Sequence, residues 1–226
     1  MRLLQVAGSP LAVLAERTTP GASTTLMIYV HYDGQPVNAA DWASDPWTPV
    51  LRDAPVEQGG KIIPLTAPFN PESRLFARSA GDDKAPITAL LAALDANGIP
   101  LAVNLKLFFE GEEEAGPPHL AERLAQYRDL LHADLWLFCD GPVHQSRRLQ
   151  LSYGVRGSYG LNLTVYGPNR PLHSGHYGNW AHNPIMRLAE LLTTMRDPAG
   201  NILIANYYDQ VVPPSLAELE AIAAAH

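Results

Sequence analysis

The sequence predicts an α/β fold in which a mostly parallel sheet is flanked by helices. Apolar runs of strand length alternate with segments whose apolar residues recur at helical spacing, the order expected of parallel strands joined by crossover helices. Three of the apolar runs stop abruptly at histidine or acidic residues, as buried strands do at their carboxyl ends. A length of 226 residues, 46% hydrophobic and 17% charged, allows one sizeable core and a small second domain.

The elements follow in chain order. "LLQVAGSPLAVLAE" reads as two short strands joined by a turn at Gly8-Ser9-Pro10, which also splits what would otherwise resemble a secretion signal. "TTLMIYVHYDGQP" holds a strand over Leu26 to Val30 that runs into His31 and Asp33. "KAPITALLAALDANGIP" has helical apolar spacing and a stop at Asn97-Gly98. "LAVNLKLFFE" is the next strand, "HLAERLAQYRDLLHA" the next helix, and "DLWLFCDGP" a further strand that ends at Asp140. Beyond these, "LNLTVYG" alternates like an edge strand, and "NPIMRLAELLTTMRDPAGN" reads as an amphipathic helix with a stop. "SLAELEAIAAAH" reads as a helix that runs out with no cap.

Composition narrows the partners. A formal net charge of −7 argues against nucleic acid or an anionic membrane as the main partner, because both attract basic surfaces. It favours cations instead. The single Cys139 excludes an internal disulfide framework and fits a reducing, cytoplasmic setting. No apolar run approaches the roughly 20 residues that span a bilayer.

The acidic residues are placed unusually. "LFFEGEEEAG" sets Glu110, Glu112, Glu113 and Glu114 directly behind an apolar run, where like charges repel and burial is costly unless a cation or solvent takes up the charge. His31 and Asp33 follow one strand, these glutamates another, Asp140 a third, and Asp82-Asp83 lie in the turn before a helix. In open α/β sheets, ligands gather outside the carboxyl ends of strands. Each piece alone has an ordinary explanation: a hydrogen-bonded loop histidine, a helix-capping aspartate, a solvated acidic loop, a turn at Gly141-Pro142. Their convergence points to a metal. Neutral imidazole with carboxylates and no thiol set suits zinc or a similar divalent ion, with calcium a weaker candidate.

"HYDGQP", "RSAGDDKAP", "EGEEEAG" and "CDGP", in this order, resemble the di-zinc metallopeptidases related to aminoacylase and glutamate carboxypeptidase, most closely their carnosinase-like dipeptidase branch. The resemblance implies two divalent ions, zinc with manganese or cobalt as alternatives. It implies His31 as a ligand of one ion, Asp33 as the acid orienting that histidine, Asp82 as the bridge between ions, and Asp140 as the residue completing the first site. Glu113 is implied as the general base, Glu114 as a ligand of the second ion, and Glu110 as a supporting residue. Glu112 stands where the family has an apolar or small residue, and Ala77, Ser79 and Ala85 stand where glycine is common. Asp82 and Lys84 are both retained.

The resemblance also divides the chain into the first part of a catalytic domain, residues 1–157, and an incomplete α/β lid and dimerisation domain, residues 158–226. His173 in "PLHSG" matches a lid histidine that, in dimeric relatives, reaches the substrate of the partner subunit; His176 and His182 lack that support. The family's second ion takes a further histidine from a returning carboxyl-terminal part, and His226 does not suit that role. The expectation is therefore a truncated, zinc-dependent hydrolase of dipeptides or small peptides, homodimeric through its lid and weakly active or inactive alone. The alternatives are an acyl-amino-acid amidohydrolase of the same family, or an inactive fragment that only binds metal or associates through its lid.

Overall fold

The computed structural model of the protein describes residues 1–96, 100–141, 143–144, 146 and 148–225. The helix stop expected at Asn97-Gly98, the turn residue Pro142 and His226 lie outside the described residues. Two compact units are present, Met1–Tyr153 and Gly154–His226.

The first unit is built on a five-stranded sheet. Its strands are β1 (Arg2–Leu4), β2 (Ala12–Arg17), β3 (Thr25–His31), β7 (Asn104–Glu110) and β8 (Leu135–Phe138), in the spatial order β1-β2-β7-β3-β8. The β7, β3 and β8 strands run parallel, while β1 and β2 add an antiparallel margin. His31 lies directly opposite Glu110 in the ladder, so two strands deliver their last residues to one place.

Side-chain alternation along these strands divides the core between the two sheet faces. Met27 and Tyr29 of β3 and Phe108 of β7 pack with Leu4, Leu14 and Leu131 under the helices α2 (Leu120–Gln126) and α3 (Arg128–Leu131). Ile28, Val30, Leu105 and Leu107 pack on the other face against Ile87, Leu90 and Leu94 of α1 (Ala85–Ala96). Both faces of β3 are therefore covered, which is why it reads as a continuous apolar run. Lys106 crosses the α2 face and donates from Nζ to Leu130 O (2.6 Å) and His132 O (2.8 Å), satisfying carbonyls at the end of α3.

A separate antiparallel sheet of β4 (Val50–Arg52), β5 (Ile62–Ile63) and β6 (Arg74–Phe76) leads into the aspartate turn before α1. The long helix expected over 119–133 is instead two helices meeting at Tyr127, whose φ of −111° leaves the helical range. That residue is tied elsewhere: its hydroxyl donates to Gln5 O (2.9 Å) and accepts from Gln5 N (3.1 Å).

In the second unit, α4 (Ser174–Tyr177), α5 (Pro184–Met195) and α6 (Leu216–Ala225) are present. Asn183 caps α5 by accepting from Ile185 N (2.9 Å). α6 opens on a reciprocal capping box, with Glu218 Oε2 accepting from Ser215 N (2.6 Å) and Ser215 Oγ accepting from Glu218 N (3.3 Å). The strand expected at 161–167 does not form. An alternating segment becomes a strand only with a partner ladder, and among the described residues the pairing in this unit is a single bridge, Arg196 to Ile202.

Candidate metal centre

His31 ends β3 and is fully buried, and each ring nitrogen faces a carboxylate. Nδ1 lies 3.2 Å from Asp33 Oδ1, and Nε2 lies 2.9 Å from Asp82 Oδ1 and 3.8 Å from Asp140 Oδ1. Asp33 has a second task, since its Oδ2 accepts from Glu114 N at 3.0 Å and ties the glutamate loop to the histidine strand. One donor atom each from His31, Asp82 and Asp140 lie within 4.8 Å of one another. Ligands of a tetrahedral zinc, bonded at about 2.0–2.2 Å, stand about 3.3–3.6 Å apart. These three side chains can therefore close on one ion with small adjustments. Glu114 is outside that group; its Oε2 accepts from Gln35 Nε2 at 2.7 Å.

The aspartate turn is held in part by Ser79, one of the positions that the sequence pattern marked as a departure. Ser79 has a φ of 64°, the left-handed region that favours glycine, and is buried. Its hydroxyl donates to Asp33 O (2.6 Å) and accepts from Lys84 Nζ (2.6 Å), so the serine links the His31 loop to the turn. A Cβ at Gly34 would lie 2.8 Å from Ser79 Cβ, so the serine side chain occupies space that a residue other than glycine at 34 would need. Asp83, beside Asp82, is buried and accepts from His31 N at 3.3 Å.

The cluster is electrostatically crowded. Burial lowers the His31 pKa, but the bond to Asp82 and the charges of Asp140, Asp83 and Asp33 outweigh it, and the net shift is upward. Burial pushes Asp83 up to about 6, against the lowering effect of the His31 N–H and ring, and with Asp140 and Asp82 adding to the rise. Glu113 is raised by burial and by the carboxylates of Asp140, Glu114 and Asp33, with His31 opposing. Asp140 is raised by burial and by Asp82 and Glu114, again with His31 opposing. Each of these groups holds its proton more tightly than is usual for its type, the acids chiefly through burial with neighbouring carboxylates adding to it, and His31 through the carboxylates around it; a bound cation would oppose both effects.

A sequence pattern described as peptidase family M20/M25/M40 matches residues 27–222. The chain belongs to this family. A Cys-Gly metallodipeptidase of Schizosaccharomyces pombe is 32% identical over 208 residues, covering 89% of this chain and 40% of the relative. The human Beta-Ala-His dipeptidase is 30% identical over 223 residues, covering 96% and 40%. Among solved structures, an M20 family metallo-carboxypeptidase from Sulfolobus solfataricus superposes with a TM-score of 0.68 at 29% identity, covering 98% of this chain and 46% of that one. Human carnosine dipeptidase 1 gives a TM-score of 0.53 at 26% identity, covering 96% and 44%. The chain spans 40% of the length of the two dipeptidases it matches.

Within this M20 chain, the four glutamates at and just beyond the end of β7 separate into two pairs. Glu113 and Glu114 lie beside His31, Asp33 and Asp140, as their bonds and mutual charge effects record. Glu110 and Glu112 belong to a buried network around Arg123, a residue that sequence reasoning missed. The signal was available: Arg123 lies four residues before Tyr127 and eight before Leu131, on the apolar stripe of the helix expected over 119–133. His173 belongs to the second unit, where its Nδ1 accepts from Gly175 N (3.1 Å) and caps α4. Its ring lies 4.9 Å from that of His176.

Proposed function

We propose that this chain is the metal-binding half of a dipeptide hydrolase. The carrying observation is that His31, Asp82 and Asp140 converge within 4.8 Å at the carboxyl ends of parallel strands, in a chain of the M20 family. In this reading His31, Asp82 and Asp140 would hold one ion, and Asp82 and Glu114 would serve a second. Zinc is the proposed metal, since the donors are one imidazole and carboxylates. Bound ions would polarise the scissile carbonyl and lower the pKa of the attacking water.

The chain's own residues do the remaining work. Asp33 accepts the Nδ1 proton of His31 and so leaves Nε2 free as a donor atom toward the ion. Glu113 takes the proton from the attacking water and returns it to the leaving amine, and its raised pKa brings it nearer to neutral operation. His173, in the proposed lid domain, is assigned the part of the matching histidine of dimeric relatives, which reaches the substrate of the partner subunit. A homodimer through that unit, with Ile185, Met186, Leu219 and Ile222 exposed on its helices, belongs to the same proposal. So does a cytoplasmic location, suited to the free Cys139; among the described residues, no helix is long and apolar enough to cross a membrane.

Only Asp82 and Glu114 are proposed for the second ion, so the isolated chain is expected to hold one zinc firmly and to turn over slowly. The test is zinc-dependent hydrolysis at high protein concentration, comparing Cys-Gly and β-Ala-His with N-acetyl amino acids, each with Glu113→Gln as control. Slow cleavage of the dipeptides that disappears in the variant supports the proposal. Preferential cleavage of the N-acetyl compounds supports the amidohydrolase alternative. A chain that binds zinc and cleaves neither behaves as the inactive fragment.

A further inference from the structure

Arg123 is fully buried, as is Glu110, and Glu112 is nearly so. The guanidinium donates from Nη1 to Glu110 Oε1 (2.8 Å) and from Nη2 to Ser9 Oγ and Pro10 O (both 2.7 Å). The other oxygen of Glu110, Oε2, accepts from Glu112 N at 3.0 Å. The Glu112 carboxylate then accepts from His119 N at 3.0 Å and lies 2.9 Å from His119 Nδ1. One charged chain therefore runs from the β1-β2 turn through the α2 helix to the backbone of the loop carrying Glu113 and Glu114.

We propose that Arg123 is a positioning residue for the metal centre: acting through Glu110, it fixes the backbone at Glu112 so that Glu113 and Glu114 are presented to the His31, Asp82 and Asp140 cluster. The geometry favours this over a purely packing role for three reasons. Glu110 is both the ladder partner of His31 and the acceptor of Tyr32 N–H through its carbonyl (2.8 Å), so it is fixed to the histidine strand. Its carboxylate does not stop at Arg123 but spends its second oxygen on the N–H of the residue immediately before Glu113. The loop is held from its other side by Asp33, through Glu114 N. Between these two anchors, Glu112 N and Glu114 N, lies Glu113, so release of the Arg123 side loosens the stretch that presents Glu113 and leaves Glu114 held from the Asp33 side alone. A buried ion pair also serves geometry better than stability, because well-packed apolar residues of similar volume often stabilise as well or better.

This inference rests on the metal-centre reading, and its test separates the two. The metal-free full chain is titrated with zinc by calorimetry and with cobalt by absorption, for the unaltered protein, His31→Ala, Arg123→Lys and the double substitution Arg123→Met with Glu110→Met. Thermal melting is followed in parallel. The double substitution replaces a buried pair by apolar groups and is expected to melt within a few degrees of the unaltered protein. It should nevertheless keep the first, tight equivalent but lose at least about tenfold in affinity for the second, weaker ion that Glu114 serves, and show an altered cobalt spectrum at two equivalents, the scale on which residues behind a metal's ligands act. Arg123→Lys, which keeps the charge but loses the fork of hydrogen bonds, should fall between the two. A folded double variant with the affinity and cobalt spectrum of the unaltered protein would overturn the proposal. Metal uptake by the unaltered protein that survives His31→Ala, or no uptake at all, defeats the metal-centre reading itself and the positioning role with it.

Discussion

Replacing Asp83 by asparagine should stabilise the metal-free protein at neutral pH. Asp83 is buried, and its carboxyl is raised from 3.8 to about 6 because burial and the neighbouring Asp140 and Asp82 charges outweigh the help it receives from His31. A carboxyl that binds its proton more tightly folded than unfolded contributes stability that is fully present below its unfolded pKa and is lost as the pH rises through its folded pKa. For Asp83 the loss falls between about pH 4 and pH 6, and at about 1.4 kcal/mol per unit it reaches about 3 kcal/mol. The raised His31, Glu113 and Asp140 shift stability in the same direction. Asparagine keeps an oxygen for the His31 N–H and removes the charge. Asp83→Asn and the unaltered protein, both in chelator, should therefore be equally stable near pH 4 and differ by up to about 3 kcal/mol at pH 7, a melting difference of roughly 6–12 °C. The difference between the two proteins, measured by urea and thermal unfolding from pH 4 to pH 7, isolates this group from all other titrations. With zinc present the order should reverse at pH 7, because a carboxylate that destabilises the empty cluster supports the bound cation. A difference that does not change with pH, or a less stable metal-free variant at pH 7, would refute the reasoning.

Glu113→Gln should retain zinc while losing whatever zinc-dependent dipeptide cleavage the protein shows, because it removes a proton acceptor and no first-ion donor; elemental analysis beside the hydrolysis assay checks both. Gly111→Ala should destabilise the first unit by about 1–3 kcal/mol, since the added Cβ would collide with the Tyr32 ring, whose hydroxyl is held by Leu11 O. Lowering the pH from 8 to 6 should weaken zinc binding already near neutrality, because the raised His31 retains its proton to a higher pH than an ordinary histidine; calorimetry in buffers of different ionisation enthalpy would count the released protons.

Much of the framework of the candidate site was legible because it rests on local patterns. The apolar run of β3 with its stop at His31 and the run of β7 with its stop at Glu110 follow from burial on both faces of a parallel sheet, while the short apolar β8 before Asp140 is a largely exposed edge strand. What escaped was set by contacts distant in sequence. The division of the four glutamates depends on Arg123, thirteen residues beyond Glu110, and on Ser9 and Pro10 in the first turn. The break at Tyr127 depends on Gln5, and the loss of the expected strand at 161–167 on the lack of a partner ladder among the described residues. Ser79 in place of glycine shows a backbone need met by a polar side chain that the sequence alone marked only as a departure.

The decisive measurement is a calorimetric titration of the metal-free 226-residue chain with zinc, repeated for His31→Ala and Asp82→Asn. Convergence of His31, Asp82 and Asp140 on one ion predicts about one tight equivalent, lost in His31→Ala and strongly weakened in Asp82→Asn, since loss of a ligand exceeds the 10 to 100-fold cost of losing a residue behind it. Zinc uptake that is absent from the unaltered chain, or unchanged by both substitutions, would contradict it.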